Sequence, residues 1–127
     1  MRIEHAALYV TDLETSRTFY ETYLEGKAGG VYHNPRTGLR TCFVRFDGGA
    51  RLELMHRPDA VDAPKDALRT GFAHLAFSVG SREKVDDMTA RLKADGYPVL
   101  SGPRVTGDGY YESCIADPEG NRIEITV

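Results

Sequence analysis

The sequence contains no tryptophan, and cysteine occurs only twice, as Cys42 and Cys114. The two cysteines lie far apart in apolar contexts, with no second cysteine close enough for a CxxC motif or a disulfide framework. We therefore expect both to be core thiols, since free cysteine is among the most buried residue types.

Long hydrophobic runs and an excess of one charge sign are also lacking. No apolar stretch approaches the roughly 20 residues that span a bilayer, and the first ten residues lack the features of a signal peptide. The 16 basic and 19 acidic residues are scattered, with a net charge of −3, which argues against nucleic acid as a partner. We expect a cytoplasmic protein with neither a membrane nor a nucleic-acid partner.

An internal repeat is the most informative pattern that is present. IEHAALYV at 3–10 and FAHLAFSV at 72–79 each place a histidine third in an eight-residue apolar run. ARLELMH at 50–56 and NRIEITV at 121–127 share arginine, aliphatic, glutamate, aliphatic, at nearly the same offset. The repeat predicts a single domain of 127 residues, with modules at 1–56 and 72–127 and a polar linker at 57–71.

Each module contains the pattern of one helix and four strands. Thr11 or Asp12 is expected to cap a first helix that Gly26 ends, and Ser81 to cap a second one that Gly96 ends. Short β-rich runs separated by turn residues follow each helix, at 28–34, 39–47 and 50–56 and then at 97–105, 109–116 and 121–127. This order predicts an α+β fold of two tandem βαβββ modules.

Four side chains are predicted to lie on the strand faces that point away from the helices, namely His5, Glu53, His74 and Glu124. Taken singly, a strand histidine is usually a hydrogen-bonded structural residue, and a glutamate among aliphatics usually marks a solvated face. The repeat, however, places both residue types at equivalent positions in both modules. Two imidazoles and two carboxylates around one concavity would suit divalent Zn, Ni, Co, Mn or Fe.

The paired βαβββ units, the first-strand histidines and the closing DPEGNRIEI at 117–125 resemble the vicinal oxygen chelate superfamily. That superfamily includes glyoxalase I, fosfomycin-resistance thiol transferases, methylmalonyl-CoA epimerase and extradiol dioxygenases. The resemblance covers essentially the whole chain. It implies the glyoxalase/bleomycin resistance/dihydroxybiphenyl dioxygenase fold, with a curved mixed sheet around a metal, and a homodimer with its sites at the subunit interface.

The resemblance also implies that His5, Glu53, His74 and Glu124 are the metal ligands, with Zn or Ni expected before Co, Mn or Fe. The set is similar to that of glyoxalase I, the lactoylglutathione lyase of methylglyoxal detoxification. Fosfomycin-resistance enzymes lack a glutamate at the position of Glu53, methylmalonyl-CoA epimerases have glutamine there, and bleomycin-binding relatives have lost the ligands.

The activity so implied converts an α-ketoaldehyde-thiol hemithioacetal, or a related vicinal-oxygen substrate, through a metal-stabilised enediolate. In this scheme Glu124 is the catalytic base, and Glu53 is a ligand and second proton carrier. Glutathione-dependent relatives have an arginine where this chain has Tyr9, and an asparagine where it has Arg57. The resemblance therefore supports the chemistry more strongly than it supports glutathione as the thiol.

Candidate substrate-binding residues are Tyr9, Arg104 and Tyr110 or Tyr111. The stretch RVTGDGYYES at 104–113 is explained most simply as a β-hairpin that turns on Asp108-Gly109, but its arginine would also suit an anionic substrate.

Two alternatives to a lyase remain open at this point. An Arg-x-x-Gly-Asp segment in the same stretch is similar to one in fosfomycin-resistance thiol transferases. A non-catalytic protein that binds a drug or a metabolite would use the same concavity. The two remaining histidines, His33 and His56, have no matching partners in the repeat, and we expect them to be surface residues.

Overall fold

The structure is a computed structural model that describes residues 1–66 and 68–127. The chain separates into two compact units, Met1–Ala63 and Pro64–Val127. Each unit runs strand, helix and then further strands, which confirms the α+β class and the tandem βαβββ order. The assignment of both modules to one domain, with a linker at 57–71, stays a prediction. None of the described helices has the length and apolarity needed to cross a membrane.

The first unit consists of β1 His5–Tyr9, α1 Leu13–Tyr23, β2 Lys27–Ala28, β3 Tyr32–His33, β4 Arg40–Arg45 and β5 Arg51–His56. Its sheet has the order β1-β5-β4-β2, and β3 also pairs with β4. The first and last strands, β1 and β5, are parallel, while the other pairs are antiparallel. The strand predicted at 28–34 is two short strands, with Gly29 and Gly30 between them.

Helix α1 is capped by Asp12 and not by Thr11. The Asp12 carboxylate accepts two backbone N–H groups of the first turn, each at 3.0 Å. The left-handed residue after the helix is Glu25, with φ 55°, whereas Gly26, which the sequence predicts to end the helix, is not in the left-handed region. Gly26 is needed for close packing instead, because a Cβ there would lie 2.5 Å from Cγ1 of Val44. The buried face of α1 contains Leu13, Ser16, Phe19 and Tyr20.

The second unit consists of β6 Leu75–Ser78, α2 Arg82–Ala94, β7 Val99–Val105, β8 Tyr111–Ala116 and β9 Arg122–Thr126. Its sheet has the order β6-β9-β8-β7, and again the first and last strands are the parallel pair. Ser81 caps α2 as predicted, by accepting the backbone N–H of Lys84 at 3.3 Å. The predicted turn at Asp108-Gly109 joins β7 to β8.

A polar contact fixes α2 on its sheet. Thr89 is a buried polar residue of α2. The Thr89 hydroxyl donates to the carbonyl of Val85 at 2.6 Å and lies 2.6 Å from the hydroxyl of buried Ser113 on β8. The apolar part of this core contains Val85, Leu92, Ile115, Ile123 and Ile125.

The two cysteines are buried free thiols, one in each unit, as the sequence predicted. Cys42 lies on β4 and Cys114 on β8. Burial raises the pKa of both thiols above the ordinary cysteine value. Both thiols are therefore weak nucleophiles at neutral pH.

Candidate metal site

In the first unit, the parallel pairing of β1 with β5 brings a histidine next to a glutamate. Glu53 pairs with Ala7, two residues after His5, so the two side chains are diagonal neighbours on one face of the sheet. The Nε2 atom of His5 lies 3.8 Å from Oε2 of Glu53. Glu53 is half-buried between the buried Leu52 and Leu54, and therefore points away from α1.

The second unit repeats this arrangement. Glu124 pairs with Ala76, two residues after His74, and is flanked by the buried Ile123 and Ile125. The Nε2 atom of His74 lies 3.3 Å from Oε2 of Glu124. The side chains of the two histidines are 40% and 44% exposed, whereas those of Glu53 and Glu124 are each 18% exposed. Each pair therefore presents an accessible imidazole beside a largely buried carboxylate.

Both pairs have the donor chemistry of a divalent metal site. Nitrogen and oxygen ligands at about 2.1 Å from one ion lie about 3.0–3.4 Å apart at octahedral to tetrahedral angles. The His74–Glu124 separation of 3.3 Å falls inside this range, and the His5–Glu53 separation of 3.8 Å needs only a small side-chain rotation. Within residues 1–66 and 68–127, no group of three or more His, Cys, Asp or Glu side chains is placed to hold an ion. Each pair by itself therefore offers two candidate ligands.

Sequence reasoning missed a second carboxylate at the first pair. Glu4 accepts a hydrogen bond from His5, with its Oε2 atom 2.5 Å from Nδ1 of the imidazole. Glu4 also forms an ion pair with Arg51, whose guanidinium stacks over the ring of Phe43 at 4.2 Å. The hydrogen bond from His5 and the charge of Arg51 lower the pKa of Glu4. The signal that could have revealed it is a charged residue directly before the strand histidine.

A second carboxylate also lies beside the other pair. Glu112 is on β8, two residues before Cys114, and Cys114 pairs with Glu124 across the sheet. Its side chain is only 12% exposed. Burial, followed by the hydrogen bond and the negative charge of Glu124, raises the pKa of Glu112. Strand parity could have identified Glu112, which shares a face with Glu124 once β8 and β9 are known to be neighbours.

The predicted substrate-binding residues differ in their surroundings. Arg104 lies 3.8 Å from Glu112 and so is close to the second pair, while Tyr110 is exposed in the β7–β8 turn and Tyr9 is exposed at the end of β1. Tyr111 donates a hydrogen bond to Asp86 of α2 at 2.7 Å, and this helix contact orients its hydroxyl.

The two remaining histidines are not equivalent. His33 is exposed, as expected. The expectation that His56 is a surface residue is wrong, because His56 is half-buried and its Nδ1 lies 3.2 Å from the carbonyl oxygen of Val10. This bond links the end of β5 to the residue that follows β1, so His56 has a structural contact.

Comparison with known proteins gives a consistent result. The Glyoxalase/Bleomycin resistance protein/Dioxygenase superfamily model matches residues 2–125. The uncharacterized protein YqjT of Bacillus subtilis is 33% identical over 127 residues, which cover 97% of this chain and 96% of that protein. The lactoylglutathione lyase of Escherichia coli O157:H7 is 26% identical, with 98% of this chain and 91% of that enzyme covered.

Among solved structures, the trypanothione-dependent glyoxalase I of Leishmania major superposes with a TM-score of 0.80 at 22% identity. The match covers 99% of this chain and 86% of that one, and it shows that the fold is shared. The predicted family and fold are thus confirmed: the chain belongs to the Glyoxalase/Bleomycin resistance protein/Dioxygenase superfamily.

Proposed function

We propose that this protein is a metal-dependent lyase or isomerase of the glyoxalase I type. Its substrate is an α-ketoaldehyde-thiol hemithioacetal or a related compound with two adjacent oxygens. The observation that carries the proposal is the recurrence of the same His–Glu pair in both units, at 3.8 Å and 3.3 Å. A protein that only sequestered a metabolite would have no need of two such pairs.

The proposed ligands are His5, Glu53, His74 and Glu124, and the proposed ion is Zn or Ni, followed by Co, Mn or Fe. One pair supplies two ligands, so a stable site needs both pairs, and the family resemblance favours their meeting across a homodimer interface. When bound, the ion supplies Lewis-acid stabilisation of negative charge on two neighbouring substrate oxygens. We place the enzyme in the cytoplasm, in the removal of methylglyoxal.

The proton transfer is assigned to the carboxylates. Glu124 takes the proton from the carbon next to the carbonyl group and returns it to the neighbouring carbon, so that a hydroxy-thioester is formed without net oxidation or reduction. Its low exposure keeps the transferred proton from exchange with bulk water. Glu53 occupies the equivalent position in the first unit, and we propose it as the second proton carrier.

The test combines metal analysis with turnover. The purified protein is loaded with Zn or Ni, and thioester formation from methylglyoxal is measured with glutathione and with other thiols. In Glu124→Gln we expect turnover to be lost while most of the metal is kept, since an amide oxygen still binds metal but takes up no proton. Asp87→Asn, on an exposed position of α2, is the matched control and should retain full activity.

The outcome of this experiment separates the functional classes. Wild-type rates in Glu124→Gln would rule out the assigned base. Bound metal without turnover by any thiol would leave a metabolite-binding or drug-binding protein as the better assignment.

One observation favours a second candidate, a thiol transferase of the fosfomycin-resistance type. The guanidinium of Arg104 lies 3.8 Å from Glu112, and Glu112 shares a face of the sheet with Glu124. An arginine next to a ligand pair suits a phosphonate, because its planar fork binds such oxyanions well. Thiol consumption in the presence of fosfomycin, with Arg104→Gln for comparison, tests this candidate; no consumption would exclude it.

A further inference from the structure

We propose that Glu4, held by Arg51, is a positioning residue that fixes the imidazole of His5 for metal binding. The inference rests on the proposed function, since it assumes that His5 is a ligand. It assigns the proton of the neutral ring to Nδ1 and leaves Nε2 as the metal-binding atom.

The contacts of the His5 ring set this assignment. A carboxylate can only accept a hydrogen bond, so the contact between Nδ1 and Glu4 at 2.5 Å places the hydrogen on Nδ1. The other nitrogen, Nε2, then has a free lone pair and is the atom that faces Glu53 at 3.8 Å. A metal-bound histidine commonly donates its second N–H to a carboxylate, which fixes both the tautomer and the ring orientation.

Arg51 holds Glu4 at two points. Its carboxylate forms an ion pair with Arg51, and its backbone carbonyl accepts the N–H of Arg51 at 3.1 Å. The Arg51 guanidinium stacks over Phe43 at 4.2 Å, and the same ring makes an edge contact with His5 at 5.5 Å between centroids. The carboxylate, the guanidinium, the phenyl ring and the imidazole thus restrain one another on one face of the sheet.

The internal repeat provides a natural comparison. Ala73 occupies the position equivalent to Glu4, directly before His74, and its methyl side chain cannot accept a hydrogen bond. Among the described residues, His74 contacts Glu124 and has no hydrogen-bond partner at Nδ1. The two histidines are therefore equivalent in the repeat but differ in their support, because in the described part of the chain only His5 has a carboxylate at Nδ1.

The first experiment measures the tautomer in the metal-free protein. Long-range proton–nitrogen NMR at alkaline pH, where imidazoles are neutral, distinguishes an Nδ1–H ring from an Nε2–H ring. We expect His5 to be the Nδ1–H form in the wild type and to lose this preference in Glu4→Ala. Glu4→Gln keeps an acceptor oxygen and should restore it in part, and the signals of His74 should be unchanged in every variant.

The second experiment measures zinc affinity by competition with a coloured chelator. Loss of a supporting carboxylate typically weakens metal binding by about 10-fold to 100-fold, and we expect this for Glu4→Ala, with a smaller loss for Glu4→Gln. Asp47→Asn is the matched control, because it removes one carboxylate of the same unit that is 94% exposed and, among the residues the structure describes, paired only with Lys27. It should bind zinc within about twofold of the wild type, since an exposed pair contributes little.

The two readouts separate this inference from the proposed function. If the wild type binds zinc but His5 carries its proton on Nε2, or if Glu4→Ala keeps the wild-type tautomer and affinity, the inference is overturned and the lyase proposal stands. If no variant binds zinc, the proposed function fails, while the NMR spectra still decide whether Glu4 orients His5.

Discussion

The buried hydroxyl pair between α2 and β8 gives an asymmetric prediction about stability. Thr89 has one hydroxyl hydrogen and donates it to the carbonyl of Val85 at 2.6 Å. Ser113 must therefore be the donor in the 2.6 Å contact between the two hydroxyls. Removing the acceptor leaves a buried donor without a partner, whereas removing the donor leaves Thr89 still bonded to Val85.

The expected losses in the free energy of unfolding follow from which hydroxyl donates. Thr89→Val has nearly the shape of threonine but leaves the Ser113 hydroxyl unpaired at a fully buried position, which costs about 1–3 kcal/mol. Ser113→Ala loses one hydrogen bond without leaving an unpaired group, and we expect about 1 kcal/mol or less. The double variant contains neither hydroxyl and should be more stable than Thr89→Val alone, so the two changes are not additive.

Urea unfolding followed by circular dichroism measures the free energy of unfolding of the three variants relative to the wild type. The m-value should be the same in all of them. The reasoning is refuted if Ser113→Ala destabilises the protein more than Thr89→Val does. It is equally refuted if the cost of the double variant is the sum of the two single ones.

Two further predictions concern the stability of the protein at acid pH and the reactivity of its two thiols. Hydrogen bonds from Thr15 lower the pKa of Asp12 in the folded protein below its ordinary value of 3.8. The stabilisation of the fold by the ionised Asp12 is therefore complete above pH 3.8 and is lost as the pH falls through the pKa of the folded state. Asp12→Asn keeps a capping oxygen that does not titrate, so below about pH 4 its urea midpoint should depend less on pH than the wild-type midpoint does. An equal pH dependence of the two midpoints would contradict this. Because burial raises the pKa of Cys42 and Cys114, a thiol reagent at neutral pH should modify the native protein far more slowly than the unfolded one. Equal rates would show that these thiols are accessible.

Most of the fold could be predicted because its signals are local. Strand alternation, helical periodicity and capping residues such as Ser81 depend on a few neighbouring residues, and they gave the element order of both units. The errors arose where tertiary contacts decide. Gly26 follows the end of α1 as predicted, but the left-handed residue there is Glu25, and packing against Val44 is what requires a glycine. His56 is half-buried because it contacts the carbonyl of Val10.

For the candidate site too, the residues that depend on a local pattern could be predicted, and those that depend on strand pairing could not. The faces of the four ligand candidates followed from strand parity, which any single strand reveals. Glu4, Arg51 and Glu112 were missed because their contacts depend on which strands are neighbours and in which register they pair. Arg51 lies opposite His5 only in the parallel register of β1 and β5, and no pattern within either strand specifies that register.

In both units the first and the last strand are the parallel pair, and these two strands contain the histidine and the glutamate. During synthesis the whole unit must therefore be completed before its first strand can pair, because the two strands are far apart in the sequence. Until then His5 is separated from Glu53, and His74 from Glu124. A polypeptide that ends within a unit consequently lacks the His–Glu pair of that unit.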